Sequence, residues 1–150
     1  MTLNRRAVFL GVTATAGAGL AYGYFGMSRA TPASQVLSAP EAYAALQSGD
    51  LLLVDVRRPD EWERTGLAKG AVPIDLRRDD FVAAVKAARV DENQPIAMIC
   101  ARGVRSRRMT QRLEEAGMGP ILDVSEGMLG SSAGPGWLAR ALPTVAWSAG

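Results

Sequence analysis

Histidine is absent from the 150 residues of this chain, and cysteine occurs once, at Cys100. Without histidine, Ser-His and Cys-His catalysis are excluded, and so are most zinc sites. With a single cysteine the chain can form neither an internal disulfide nor a CxxC redox or metal pair. Excess charge is lacking too. The formal net charge is +2, but Arg5, Arg6 and Arg29 lie in the first thirty residues, where there is no acid. With those three set aside, 14 basic residues face 15 acidic ones, a net of −1. Nucleic-acid binding therefore has no basis in overall charge. Repeats and low-complexity segments are also missing outside the N-terminal run. Hydrophobic residues make up 48% of the chain, which excludes a disordered reading and is enough for one layered core.

The N-terminus is organised differently from the rest. Asn4-Arg5-Arg6 is followed by an uncharged run from Ala7 to Met27, in which ten of the 21 residues are Gly or Ala. As a helix this run would be about 30 Å long, the thickness of a hydrocarbon core. Five glycines argue against a buried helix of a globular protein. The pattern resembles a bacterial twin-arginine export signal. Two alternatives stay open. Low hydrophobicity and Ser28-Arg29-Ala30 suit a cleaved signal, whereas Tyr22, Tyr24 and Phe25 suit an interfacial belt on an anchor spanning residues 7–27. Either way the arginines stay inside. The remaining chain is then exported to the periplasm or cell envelope, released or attached to the inner membrane. The expected layout is a signal or anchor at 1–30, a linker at 31–35 and one domain at 36–145.

In that domain, strand and helix signals alternate. Gln35-Val36-Leu37 is a short strand candidate. Ser38 to Glu41 reads as a capping box that opens a helix to Gln47. Leu51 to Val56 and Pro95 to Cys100 are continuous apolar runs, as in strands covered on both faces. Asp60 to Thr65 forms a short helix, Ala71 to Ile74 an extended piece and Asp79 to Ala88 a helix. Val104 to Ala116 is a helix stopped by Gly117, Gly119 to Val124 a strand, and Trp137 to Ala141 a last helical turn. This order implies an α/β fold with a parallel sheet of roughly five strands and helices on both faces. Ligands bind at the carboxyl ends of such strands, where Cys100 sits.

The site candidate is Cys100-Ala101-Arg102-Gly103-Val104-Arg105-Ser106. A strand ends at Cys100 and an arginine-rich helix opens after it. The first helical turn leaves its N–H donors unpaired, and these can point into the loop. Gly103 permits a positive φ. Arg102 and Arg105 add positive charge. All three effects favour a thiolate nucleophile that needs no histidine. Arg107, Arg108 and Arg112 read as surface or acid-paired residues, and Asp55 with Arg57 as a structural pair.

This loop in its strand-loop-helix context resembles those of rhodanese domains, the thiosulfate and persulfide sulfurtransferases. Three further segments carry the likeness. They are Leu53-Val54-Asp55-Val56-Arg57 with Pro59-Asp60-Glu61-Trp62; Gly66 to Ile74, where Leu67 takes the place of a histidine common in the family; and Glu126-Gly127-Met128 through Gly136-Trp137 to Leu142-Pro143. The resemblance implies that Cys100 accepts a sulfane sulfur from a small sulfur-containing anion or a persulfide. The resulting persulfide is the only cofactor-like group, held by the amides of roughly Ala101 to Arg105. Arg102 and Arg105 hold an anionic donor, and Ser106 completes the substrate loop. A thiol or an acceptor protein then removes the sulfur. The alternatives are a persulfide carrier dedicated to one partner, a non-catalytic binding module, and a phosphatase or arsenate reductase. The last class uses Cys-x5-Arg, whereas this chain has Cys-x4-Arg, with Ser106 at the position of that arginine.

Overall fold

The computed structural model describes residues 35–149. The expected signal or anchor and most of the linker, residues 1–34, lie outside them. Among the described residues no helix is long and apolar enough to cross a membrane.

The apolar runs form the centre of the sheet. Strand β1 is Gln35–Val36, β2 Leu52–Asp55, β4 Val72–Pro73, β5 Ile96–Ile99 and β6 Ile121–Asp123. They lie in the order β1-β6-β5-β2-β4, and every neighbouring pair is parallel. All residues of β2 and β5 are buried, as expected of strands covered on both faces.

Side chains alternate across these strands, so each strand supplies two cores. Leu52, Val54, Ile96 and Met98 face one way and pack with Phe81 and Val85 of α3 (Phe81–Ala88) and with Met109 and Leu113 of α4 (Val104–Glu115). Leu53, Ala97 and Ile99 face the other way and meet Ala39 and Ala42 of α1 (Ala39–Gln47) and Trp137 of α5 (Gly136–Ala139). Phe81 and Trp137 are fully buried, each worth about 1.5–3 kcal/mol or more of transfer free energy. The fold is the α/β parallel sheet with helices on both faces that the sequence pattern implies.

Local signals set the boundaries. The Ser38–Glu41 capping box is formed in both directions, with proline in the first turn of α1. Helix α2 (Pro59–Thr65) stops at Gly66, whose φ is 73°. One feature was not expected. β3 (Leu67–Ala68) pairs antiparallel with β7 (Thr144–Val145), which ties the C-terminal stretch across the end of α2. Trp147 then packs edge-on against the buried Trp62 of α2, with ring centroids 5.1 Å apart.

Candidate functional site

Cys100 follows the last residue of β5, and its side chain joins the core beneath α4. It is free and only 1% exposed. The chain then turns through Ala101 and Arg102 to Gly103, whose φ of 83° is left-handed. An L side chain would be strained there. A methyl group would also collide with the Ser125 carbonyl. Gly103 is thus required both by its conformation and by close approach.

The loop is held from outside by the segment after β6. Met128 N–H donates to the Cys100 carbonyl at 2.8 Å, and Leu129 N–H to the Ala101 carbonyl at 2.9 Å. Gly127 makes this approach feasible, since a Cβ on it would stand 2.5 Å from the Ala101 oxygen. The loop thus has its Cys100 and Ala101 carbonyls bonded from outside. Its amides are not. Gly103 N–H donates to Cys100 Sγ at 3.2 Å. The N–H groups of Ala101, Arg102, Val104, Arg105 and Ser106 have no acceptor among the described residues. A helix start with several free donors and one aimed at a sulfur is an anion-binding arrangement.

The side chains of the loop divide by role. Ser106 is buried and donates its hydroxyl to the Gly103 carbonyl at 3.1 Å, which closes the first turn. Val104 is 77% exposed, and Leu129 beside the loop is 43% exposed. Arg102 is exposed and reaches across to the Gly130 carbonyl at 3.3 Å. Arg105 is committed elsewhere. Its two terminal nitrogens bond both oxygens of Glu61 in α2, each at 2.6 Å. That fork holds the Glu61 carboxyl at about 2, well below its ordinary value, and raises Arg105 in turn.

Asp55 and Arg57, expected as a structural pair, are that. Both are essentially fully buried, and Arg57 bonds the Asp55 carboxylate, Thr65 Oγ1 and the Gly66 carbonyl. The pair fixes the start and end of α2, and with them the position of Glu61. Arg107 and Arg108 are exposed, and Arg112 lies over the Phe81 ring at 5.5 Å. No cluster of metal-ligating side chains occurs among the described residues. Sequence reasoning treated Glu61 only as part of a landmark and missed its contact with the loop. Glu126, likewise named only within a landmark, is buried and accepts from the Ala39 and Gly136 amides and from Arg140. That carboxylate joins the start of α1 to the segment that backs the loop.

A parallel sheet that ends at a lone cysteine, with a helix-start amide donating to its sulfur, marks the class of α/β domain. Residues 38–133 match the family model described as the rhodanese-like domain, and the chain belongs to that family. It is similar to a protein from Allochromatium vinosum named sulfurtransferase, with 27% identity over 97 residues, 65% of this chain and 80% of that protein. It is also similar to the solved polysulfide-sulfur transferase homodimer of Wolinella succinogenes. There the TM-score is 0.61 at 27% identity, covering 77% of this chain and 80% of that one. The fold alone is shared with a thiosulfate sulfurtransferase from Pseudomonas aeruginosa. The TM-score is 0.63 at 24% identity, covering 77% of this chain and 21% of that one.

Proposed function

We propose that this domain is a sulfurtransferase that carries a sulfane sulfur on Cys100. The observation that carries the reading is the Gly103 amide, 3.2 Å from the sulfur, within a loop whose other amides are unpaired. Such a loop stabilises one anionic sulfur atom added to the thiolate. The names of the Allochromatium and Wolinella relatives support the same chemistry.

The transfer runs in two displacements. The Cys100 thiolate attacks the outer sulfur of a donor, so that a new S–S bond forms on Cys100 and the donor's own bond to that sulfur breaks. With thiosulfate the leaving group is sulfite; with a persulfide RS–SH it is the thiolate RS⁻. An acceptor nucleophile then attacks the terminal sulfur and returns the Cys100 thiolate. The donor is a small sulfur-containing anion or a persulfide. The acceptor is a thiophile, either a small thiol or a partner protein. The free amides from Ala101 to Ser106 hold the transferred sulfur, with Arg102 exposed beside them. Residues 1–30 export the domain or anchor it in the cell envelope.

The assay is sulfur transfer to cyanide from thiosulfate and from an organic persulfide. The parent protein forms thiocyanate with at least one donor, and Cys100→Ser forms none. Equal rates in both proteins would refute the reading.

A further inference from the structure

The charges around Cys100 do not add up to the basic loop that its sequence suggests. Arg105 is bonded at 2.6 Å through both terminal nitrogens to Glu61, which is itself held ionised far into the acid range. Arg57 is bonded to Asp55, and Arg58 lies 3.5 Å from the same Glu61 carboxylate and 3.1 Å from that of Asp60. Each of these three cations is thus matched by a carboxylate. Arg102 remains free of any carboxylate among the described residues, but it is exposed and its charge is screened by solvent. The rim of the loop is apolar instead. Val104 projects from the loop at 77% exposure, and Leu129 lies against Ala101 at 43% exposure.

We infer that the Glu61–Arg105 pair and the Val104–Leu129 rim select the donor, an organic persulfide with an apolar body in preference to a dianion such as thiosulfate. The inference rests on the sulfur-transfer reading above and deepens it. Loading from thiosulfate brings a dianion to a thiolate and releases a dianionic sulfite, so it needs uncompensated positive charge at the loop. Glu61 removes that charge from Arg105. Loading from RS–SH transfers one sulfur atom to Cys100 and releases RS⁻, so the total charge stays at −1 throughout. The group R then leaves across the apolar rim, where its burial is favourable. Glu61 acts through Arg105 and is a positioning residue; it touches neither sulfur.

The test measures the rate at which Cys100 gains sulfur from thiosulfate and from benzyl persulfide at low ionic strength. Glu61→Gln frees the Arg105 charge and should raise the thiosulfate rate about tenfold, while the benzyl persulfide rate stays within about twofold. The Glu61→Gln, Arg105→Gln double variant removes both charges and should return the thiosulfate rate to that of the parent. Val104→Ser, at a position too exposed to unsettle the fold, should lower the ratio of the benzyl persulfide rate to the thiosulfate rate about threefold. Parallel changes with both donors in Glu61→Gln, or equal effects of Val104→Ser on both, would overturn the inference and leave sulfur transfer standing. Failure of the parent to load from either donor would overturn the sulfur-transfer reading and this inference together.

Discussion

Gly103 lies with its bare Cα directly against the backbone carbonyl of Ser125, so that a methyl group on it would collide with that oxygen. The same glycine supplies the amide that donates to Cys100 Sγ. Loop shape and sulfur binding therefore depend on one position. Gly103→Ala should cost about 1–3 kcal/mol for the left-handed φ alone, and more for the collision. It should also abolish sulfur loading, because the Gly103 N–H must move to relieve the contact. Denaturant unfolding and intact-mass measurement would check the two effects. An alanine variant of unchanged stability that loads normally would contradict this account of the loop.

Asp55 and Arg57 are a buried pair whose loss is expected to be structural. Asp55→Asn leaves the Arg57 guanidinium uncompensated in the core. Removing one partner of a buried pair typically costs about 3–5 kcal/mol. The urea midpoint should fall accordingly. Because the pair seats α2, the Glu61–Arg105 contact should loosen as well. A stable Asp55→Asn protein would show that the pair carries little of the fold.

Acid should weaken the Glu61–Arg105 pair only as pH falls well below the ordinary carboxylate range. The Glu61 carboxyl is lowered from 4.5 to about 2 by its bond to Arg105. A depressed carboxylate contributes stability that is fully present above its unfolded value. That contribution drains away as pH falls from roughly 4.5 through 2. Glu61→Gln removes this dependence. The thermal midpoint of the parent should therefore fall more steeply between pH 5 and pH 2 than that of the variant, at constant salt. Parallel curves would mean that the pair is too screened to matter.

The strand-loop-helix at Cys100 was legible because its parts are local. Fully apolar runs at β2 and β5 identify central strands, and Gly103 followed by an arginine-rich stretch identifies a helix start. The capping box at Ser38 and the stop at Gly66 are likewise short-range signals. β3 and β7 were not legible. Two-residue strands such as Leu67–Ala68 and Thr144–Val145 carry no periodicity, and their pairing joins distant parts of the chain. Glu61 escaped notice for a similar reason. It lies 44 residues from Arg105, and only the neighbouring places of β2 and β5 in the sheet bring α2 to the loop. Arg105 was therefore read as a free cation, whereas its fork is filled by Glu61. Glu126 is a related case, a charged residue whose burial against α1 no local pattern announces.

Export is tested outside the described domain. Residues 1–33 fused to a reporter should carry it out of the cytoplasm, and replacing Arg5 and Arg6 by lysine should stop that transport if the twin-arginine route is used. Reporter found solely in the cytoplasm would contradict the assignment of the N-terminal run. Export that survives the lysine substitutions would point to the general route.

Whether Cys100 holds the sulfur is decided by intact-mass spectrometry. The chain has one cysteine and no histidine, so any covalently bound sulfane sulfur has a single place to reside. After exposure to thiosulfate or to an organic persulfide, and removal of excess donor, the protein should gain the mass of one sulfur atom. Cyanide or a small thiol should remove it, and Cys100→Ser should gain nothing. A parent protein whose mass is unchanged by every donor, with Cys100 unreactive, would contradict the account and leave a rhodanese-like binding module in its place.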